Sequence, residues 1–295
     1  MTADIVDRAV SWWARAAHSP VVPETLRRIL QRGRVVDVPN AGRMRLNGYD
    51  HTQAFPFVFG VWEPGVERLV RELLAPGDVA IDVGANVGYY TLLMARAVGP
   101  RGKVLAFEPS PVTFERLREN VEMNGLDNVE LFRLGASDHR GTVGLSGGSI
   151  RNQGRSSMVR GDAEHQVEVA PLDEQIPEDL WPRVRLVKID VEGAEPAVLA
   201  GMQAGLRRLP EESLVFLELA GESEGEYQAS RAIFDDMRSR GYQPFAIPNR
   251  YDVGFYLHPG DLRARLVTEL PRGGTTDFVF VRAVAPRPGF LEVDA

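Results

Sequence analysis

Cysteine is absent from the 295 residues, which excludes a disulfide framework, a thiolate nucleophile and a cysteine-based metal site. No apolar run approaches the roughly 18 residues that a membrane-spanning helix needs. The longest, Ala54 to Trp62, is broken by Pro56 and Gly60. Lysine is nearly missing too, with two residues against 32 arginines, a bias expected of a GC-rich bacterial genome. An excess of positive charge is also lacking: the formal charge is -7 and the pI is near 5.4, so nucleic acid is not an expected partner. The N-terminus carries Asp4 and Asp7 in place of a basic-then-apolar leader, and a cytoplasmic location is expected.

What the chain does have is a composition ordinary for a globular protein, 44% hydrophobic and 25% charged. Ile5, Ala9, Trp12, Trp13 and Ala16 form an apolar stripe that predicts a short amphipathic helix over residues 3–18, packing on the main domain or on a second copy. Short β-like runs follow at Val35 to Val38, Met44 to Leu46 and Phe55 to Phe59, with turns at Asn40-Ala41-Gly42 and Asn47-Gly48. From Glu63 onward strands and helices alternate. Strands are predicted at Val79 to Val83, Val104 to Phe107, Val129 to Leu134, Val184 to Ile189, Leu214 to Leu219 and Tyr242 to Ile247. Helices are predicted at Val66 to Leu74, Tyr89 to Val98, Pro111 to Asn124, Pro196 to Leu209 and Tyr227 to Arg240. This alternation implies a doubly wound α/β architecture, a mostly parallel sheet with helices on both faces. The last strand, Asp277 to Arg282, follows a loop and not a helix, so it is expected to enter antiparallel. Residues 139–183 break the rhythm: "GGSIRNQGRSSM" reads as loop and "HQVEVAPL" as an added strand. The expected organisation is an extension over 1–62 that caps the substrate side or contacts a second copy, a ligand-binding domain over 63–285, and a tail over 286–295.

In such a sheet the ligand lies beyond the carboxyl ends of the strands, at the switch point. The first strand leads into "AIDVGANVGYYT". A dinucleotide turn needs G-x-G-x-x-G, and Asn86 and Tyr89 stand where two of those glycines belong. Asp82, Gly84 and Gly88 instead fit the acid-plus-glycine turn suited to S-adenosylmethionine, whose amino-acid end wants amide donors and a nearby acid. Gly84 and Gly88 leave room for ligand and for close helix packing, and a side chain at Gly84 is expected to intrude on the methionine end. Glu108 closes the second strand, where a carboxylate accepts from both ribose hydroxyls. Ala136 and Ser137, in "LGASDH", stand where an adenine edge is met. Asp190 and Glu192 close the fourth strand and Glu218 the fifth, so acids end four strands at equivalent places. Lys188 shares strand parity with Asp190, and its simplest role is a buried partner for a neighbouring carboxylate.

"DVGANVGYYT", "AFEPSPVTFERLRENVEMNG", "LDNVELFRLGASD" and "VKIDVEGAEPAVLAGM" together resemble the FkbM family of S-adenosylmethionine-dependent methyltransferases, over about residues 60–220. The resemblance implies the Rossmann-like seven-stranded methyltransferase fold with its last strand antiparallel. It implies O-methylation of a small-molecule acceptor with a free hydroxyl, commonly a natural product, polyketide or sugar. It assigns Asp82, Gly84, Asn86 and Gly88 to the cofactor loop, Glu108 to the ribose, and Asp190 with Glu192 to the central acidic motif.

The methyl of a sulfonium is already activated, so the protein has to hold an oxygen in line and manage its proton. Asp190 is the first candidate base, with Glu192 and Glu218 next. His51 and His258 lie in the flanks where an acceptor binds, and Tyr251, Phe255 and Tyr256 are candidates for an apolar wall. Asp190 and Glu218 end adjacent strands and are the pair that would share a divalent cation, but no metal is expected. Methylation of nitrogen, an NAD(P)-dependent oxidoreduction and a non-catalytic sensor of S-adenosylmethionine are the competing readings. A homodimer through the extension is one assembly the sequence allows, and no membrane contact is expected.

Overall fold

The structure is a computed structural model and describes residues 33–48, 50–146, 157–159, 165–285 and 288–292. The amphipathic helix expected over 3–18 lies outside the described residues, as does most of the loop-like "GGSIRNQGRSSM". No helix among the described residues is long and apolar enough to cross a membrane.

The described chain opens with an antiparallel hairpin, β1 (Arg34–Val38) and β2 (Gly42–Leu46), turning through Asn40 at a φ of 63°. Met44 and Leu46 enter the main core. The run Phe55 to Phe59 is not a strand: His51–Phe59 form helix α1. Its aromatic composition suits a strand, but the local caps decide. The Asp50 side chain accepts from the backbone amides of Thr52 and Gln53, and Gly60 closes the helix in the left-handed region at a φ of 73°. Helix α2 (Pro64–Leu73) follows directly.

The doubly wound core begins at β3 (Val79–Val83), α3 (Tyr89–Val98), β4 (Lys103–Phe107), α4 (Pro111–Met123) and β5 (Val129–Phe132). The region that breaks the rhythm forms its own small sheet from β6 (Gly135–Ala136), β7 (Gly141–Ser146), β8 (Ser157–Val159) and β9 (His165–Ala170), in the order β6-β9-β7-β8. After the short α5 (Leu172–Gln175) the chain returns to the main sheet at β10 (Val184–Ile189).

The helix expected over Pro196 to Leu209 is two helices, α6 (Glu195–Ala200) and α7 (Gln203–Arg208). The break falls at Gly201, which lies so close to the Ser137 carbonyl that a Cβ would sit 1.8 Å from it. The Asp173 carboxylate then restarts the helix by accepting from the amides of Ala204 at 2.7 Å and Gly205 at 2.6 Å. β11 (Leu214–Ala220) leads to α8 (Glu224–Ser239), which starts earlier than the apolar pattern indicates because Ser223 and Glu226 close a capping box. β12 (Tyr242–Ile247), α9 (Val253–Leu257), β13 (Ala264–Leu266), β14 (Thr275–Arg282) and β15 (Leu291–Glu292) complete the described chain.

The main sheet runs β15-β13-β12-β14-β11-β10-β3-β4-β5. Its seven central strands are the predicted ones, and β14 lies antiparallel between β11 and β12. Two short strands extend the β12 edge. Alternate residues of the buried strands feed two apolar layers: Ala80 and Val104 join the α3 side, while Val79, Ile81 and Val83 join the Trp181 and Phe234 side. From β3 the chain winds outward to β4 and β5, then returns to β10 on the other flank. The loops after β3 and β10 therefore diverge and leave a crevice at the carboxyl ends of the strands.

Candidate active site

That crevice is a cavity of about 520 Å³. Gly84 and Asn86 from the turn after β3, Glu108 from the end of β4 and Ala136 from β6 line one half. Asp190, Glu192 and Glu218, from the ends of β10 and β11, line the other, together with Tyr251.

Gly84 adopts a φ of 82°, and a Cβ there would lie 1.9 Å from the Asp190 carbonyl oxygen. The glycine is therefore a joint between two strands, where a side chain would meet backbone. Gly88 does not reach the cavity, and its missing side chain admits Leu117 of α4, since a Cβ would lie 2.6 Å from Leu117 Cδ1. Asn86 has a φ of 50°, a left-handed conformation that asparagine tolerates better than most residues. This accounts physically for asparagine standing where a third glycine would serve.

Glu108 is buried, with Oε2 accepting from the Asn86 amide at 3.0 Å and Oε1 from the Ser110 amide at 2.9 Å. Burial pushes its pKa up to about 7 against those two bonds. Asn86 Oδ1 is buried without a hydrogen-bond partner among the described residues. Phe107, Pro109, Leu134 and Leu145 supply apolar surface beside them.

Asp82 does not line the cavity. Its side chain points to the α3 face of the sheet, fully buried, where it accepts from Thr91 Oγ1 at 2.6 Å. Strand alternation decides this: Asp82 is one residue short of the strand end, on the opposite face from Ile81 and Val83. Burial raises its pKa, opposed by Lys188, its cross-strand neighbour in the register of β3 and β10.

Lys188 is the buried partner that its parity suggested. Its side chain is 3% exposed, and Nζ donates to Asp190 Oδ2 at 2.8 Å while lying 4.9 Å from the Tyr90 ring centroid. Burial works against its charge, but Asp190, Asp82 and Glu63 outweigh that and hold the ammonium above the ordinary lysine range. Asp190 is thereby fixed at the switch point, facing the cavity.

Several other expectations shift. Ala136 lines the cavity but Ser137 does not, being buried under Gly201. Tyr256 does not line it either: it packs on Phe55 with ring centroids 4.5 Å apart, and its hydroxyl accepts from the Glu63 amide. His258 is exposed at the end of α9, away from the cavity. His51 opens α1, and its side chain lies outside what is described.

Glu63 and Asp277 were missed. Glu63 stands in the left-handed region at a φ of 48° before α2, and its carboxylate accepts from Tyr90 Oη at 2.8 Å and Tyr251 Oη at 2.5 Å. No periodic pattern marks such a junction. Asp277 was findable. Because β14 runs antiparallel, its beginning and not its end meets the carboxyl ends of its neighbours, and Asp277 stands directly opposite Glu218. The antiparallel entry, already expected from the loop, carried that signal.

The Methyltransferase FkbM domain matches residues 82–244, more than half of the chain. The chain belongs to the FkbM methyltransferase family. Among curated relatives, the hexuronic acid methyltransferase AglP of Haloferax volcanii is 32% identical over 145 residues, 49% of this chain and 58% of that protein. The 2-O-methyltransferase NoeI of Sinorhizobium fredii is 30% identical over 186 residues, 57% of this chain and 74% of its own length. The 31-O-demethyl-FK506 methyltransferase FkbM of Streptomyces tacrolimicus is 31% identical over 161 residues, 44% of this chain and 61% of its length. The match to two of these three spans less than two thirds of the relative. The FkbM domain match holds Gly84, Asn86, Glu108, Asp190 and Glu218, whereas Glu63, Tyr251 and Asp277 stand outside it.

Proposed function

We propose that the chain transfers a methyl group from S-adenosylmethionine to a hydroxyl oxygen of a small-molecule acceptor, a natural product, polyketide or sugar. One observation carries this reading: a single cavity joins Glu108 at the end of β4 to the Lys188–Asp190 pair at the end of β10, across the switch point. The residues present fit the cofactor. Glu108 offers a buried carboxylate to the two ribose hydroxyls, and the unpartnered Asn86 Oδ1 is an acceptor suited to an ammonium. Ala136, Leu134 and Leu145 give an apolar slot for a flat base.

When bound, S-adenosylmethionine supplies a methyl carried on a positive sulfur, transferred as the C–O bond forms and the C–S bond breaks, with the bonding pair returning to sulfur. The chain's part is positioning and proton management. Asp190, oriented by Lys188, accepts the hydroxyl proton. The residues lining the cavity hold the oxygen in line with the methyl.

Two measurements test this. Asp190→Asn keeps the shape of the side chain, so affinity for S-adenosylmethionine is expected to stay within a few-fold while turnover falls at least about a hundred-fold, within the usual range for a general base. Full turnover in Asp190→Asn removes it from the mechanism. Chelation by EDTA is expected to leave the wild-type rate unchanged, and activity that vanishes and returns with magnesium would assign Asp190 and Glu218 to a metal.

Glu108 gives a pH signature. Its folded pKa is raised above 4.5 to about 7, so the empty site favours the protonated form below that pH. Ribose hydroxyls that donate to it favour the carboxylate, so binding in acid releases a proton. Affinity for S-adenosylhomocysteine is expected to rise with pH up to about 7, by at most about tenfold per unit. In Glu108→Gln the rise should vanish and affinity should drop at least about tenfold, the weight of one charge-assisted bond. A wild-type pH profile retained in Glu108→Gln rules out the ribose role.

A further inference from the structure

The acceptor half of the cavity is built of hydrogen-bond acceptors. Carboxyls of Glu63, Asp190, Glu218 and Asp277 line it. Among the described residues the only basic side chain on its wall is Lys188, already engaged by Asp190 at 2.8 Å. Asn249 turns Nδ2 to Asp277 Oδ2 at 2.8 Å, which leaves its Oδ1 buried without a partner among the described residues. Among the described residues the wall is short of positive charge.

Glu218 and Asp277 are direct cross-strand partners in the antiparallel register of β11 and β14. Like charges placed directly opposite weaken a sheet. Burial pushes both carboxyls well above the usual carboxylate range, with Asp190, Glu63 and each other's charge adding to the effect for Glu218, and Glu63 and Asp190 for Asp277. A cation seated against them relieves that repulsion. Glu63 is fixed beside them by Tyr90 and Tyr251, and the Tyr251 ring stacks on Trp62 with centroids 5.1 Å apart and both rings on the cavity wall. Carboxylates beside aromatic faces hold an ammonium through charge-assisted hydrogen bonds and cation–π attraction. With those carboxyls ionised, the same wall repels a carboxylate or phosphate.

We propose that the acceptor is a hydroxylated amine: its ammonium is held by Glu63, Glu218 and Asp277 against the Trp62 and Tyr251 rings, and a hydroxyl of the same molecule is presented to Asp190. This rests on the methyl-transfer reading of the cavity and adds the class of acceptor. Glu63, Asn249, Tyr251 and Asp277 stand outside the residues matched by the FkbM domain and Glu218 within them, so the flanks of this chain supply most of this selectivity. A hexuronic acid, the acceptor in the name of one relative, is the class this wall disfavours.

The test incubates the full chain with S-adenosylmethionine labelled in the methyl group and an aqueous small-molecule extract of the cells that carry its gene. Half of the extract is first acetylated in water, which blocks amines and spares alcohols. The expected label is in a product retained on a cation exchanger at mildly acidic pH, and it is released as methyl iodide by hot hydriodic acid, which marks an O-methyl group. Acetylation is expected to abolish labelling. The double variant Glu63→Gln, Asp277→Asn is expected to lower labelling at least about tenfold, the weight of one charge-assisted bond. Its affinity for S-adenosylhomocysteine within a few-fold of wild type verifies that it folds. Label in a neutral or anionic product, labelling untouched by acetylation, or undiminished labelling by the double variant overturns the proposal, and methyl that resists hydriodic acid overturns the hydroxyl assignment. No label in any fraction contradicts the methyl-transfer reading itself, and the amine proposal falls with it.

Discussion

Gly84→Val is expected to abolish measurable binding of S-adenosylhomocysteine and to lower the melting temperature at the same time. Two costs coincide at this position. The φ of 82° is one that a β-branched residue does not tolerate, a strain of about 1–3 kcal/mol. The new Cβ would also stand 1.9 Å from the Asp190 carbonyl, and backbone cannot swing aside as a side chain tip can. Relief requires parting the ends of β3 and β10, where the Asp190 amide donates to the Val83 carbonyl at 3.0 Å. Overpacking of this kind adds about 1–3 kcal/mol. A total near 3 kcal/mol or more corresponds to a fall of about 6–12 °C for a chain of this size. Gly84→Ala should show both losses in weaker form. Gly88→Ala should cost less, because its Cβ meets only the Leu117 tip, although its φ of 94° still strains alanine. Calorimetric titration and a melting curve on each variant decide it. A Gly84→Ala variant with wild-type melting and affinity would contradict the joint between the two strands.

Lys188→Met is expected to be the most destabilising single change in the acidic half. Methionine fits the volume of the stem but removes the charge between Asp82 and Asp190. Asp82 is fully buried, its Oδ1 has no hydrogen-bond partner among the described residues, and Lys188 is the cation that offsets its burial. Removing one partner of a buried pair costs about 3–5 kcal/mol because the other charge stays behind. The expected fall in melting temperature near neutral pH is then about 6–20 °C. The pH dependence has a definite sign. Without Lys188 the folded pKa of Asp82 rises further above its unfolded value, so the folded state binds the proton more tightly and loses stability as pH rises. The gap between variant and wild type should therefore widen from pH 5 to pH 8. A gap independent of pH would mean that packing, and not charge, is what Lys188 supplies.

The parallel core was legible because its strands are short apolar runs bounded by glycine, proline and acids, and such runs have few alternative uses. Asp190 and Glu218 were legible for the same reason: where a strand ends is readable, and the ends gather at one edge. Which way a side chain points at that end is harder. Asp82 shares the strand-end position, but one residue of parity turns it into the core against Thr91. The helix α1 was hidden because a nine-residue segment takes its conformation from caps at Asp50 and Gly60, and its aromatic residues favour either state. Glu63 was hidden because its place depends on tyrosines 27 and 188 residues away. The split of α6 from α7 depends on contacts with Ser137 and Asp173 that no local window contains.

The proposed function requires one cavity at the switch point to hold the nucleoside of S-adenosylmethionine on Glu108 and to direct its reactive end toward Asp190. The most direct measurement is a crystal structure of the chain with S-adenosylhomocysteine. The expected density places both ribose hydroxyls within hydrogen-bond distance of the Glu108 carboxylate, the base against Ala136 and Leu145, and the sulfur on the side of the cavity lined by Asp190. A nucleoside bound elsewhere, or one in this cavity whose ribose makes no contact with Glu108, would contradict the account.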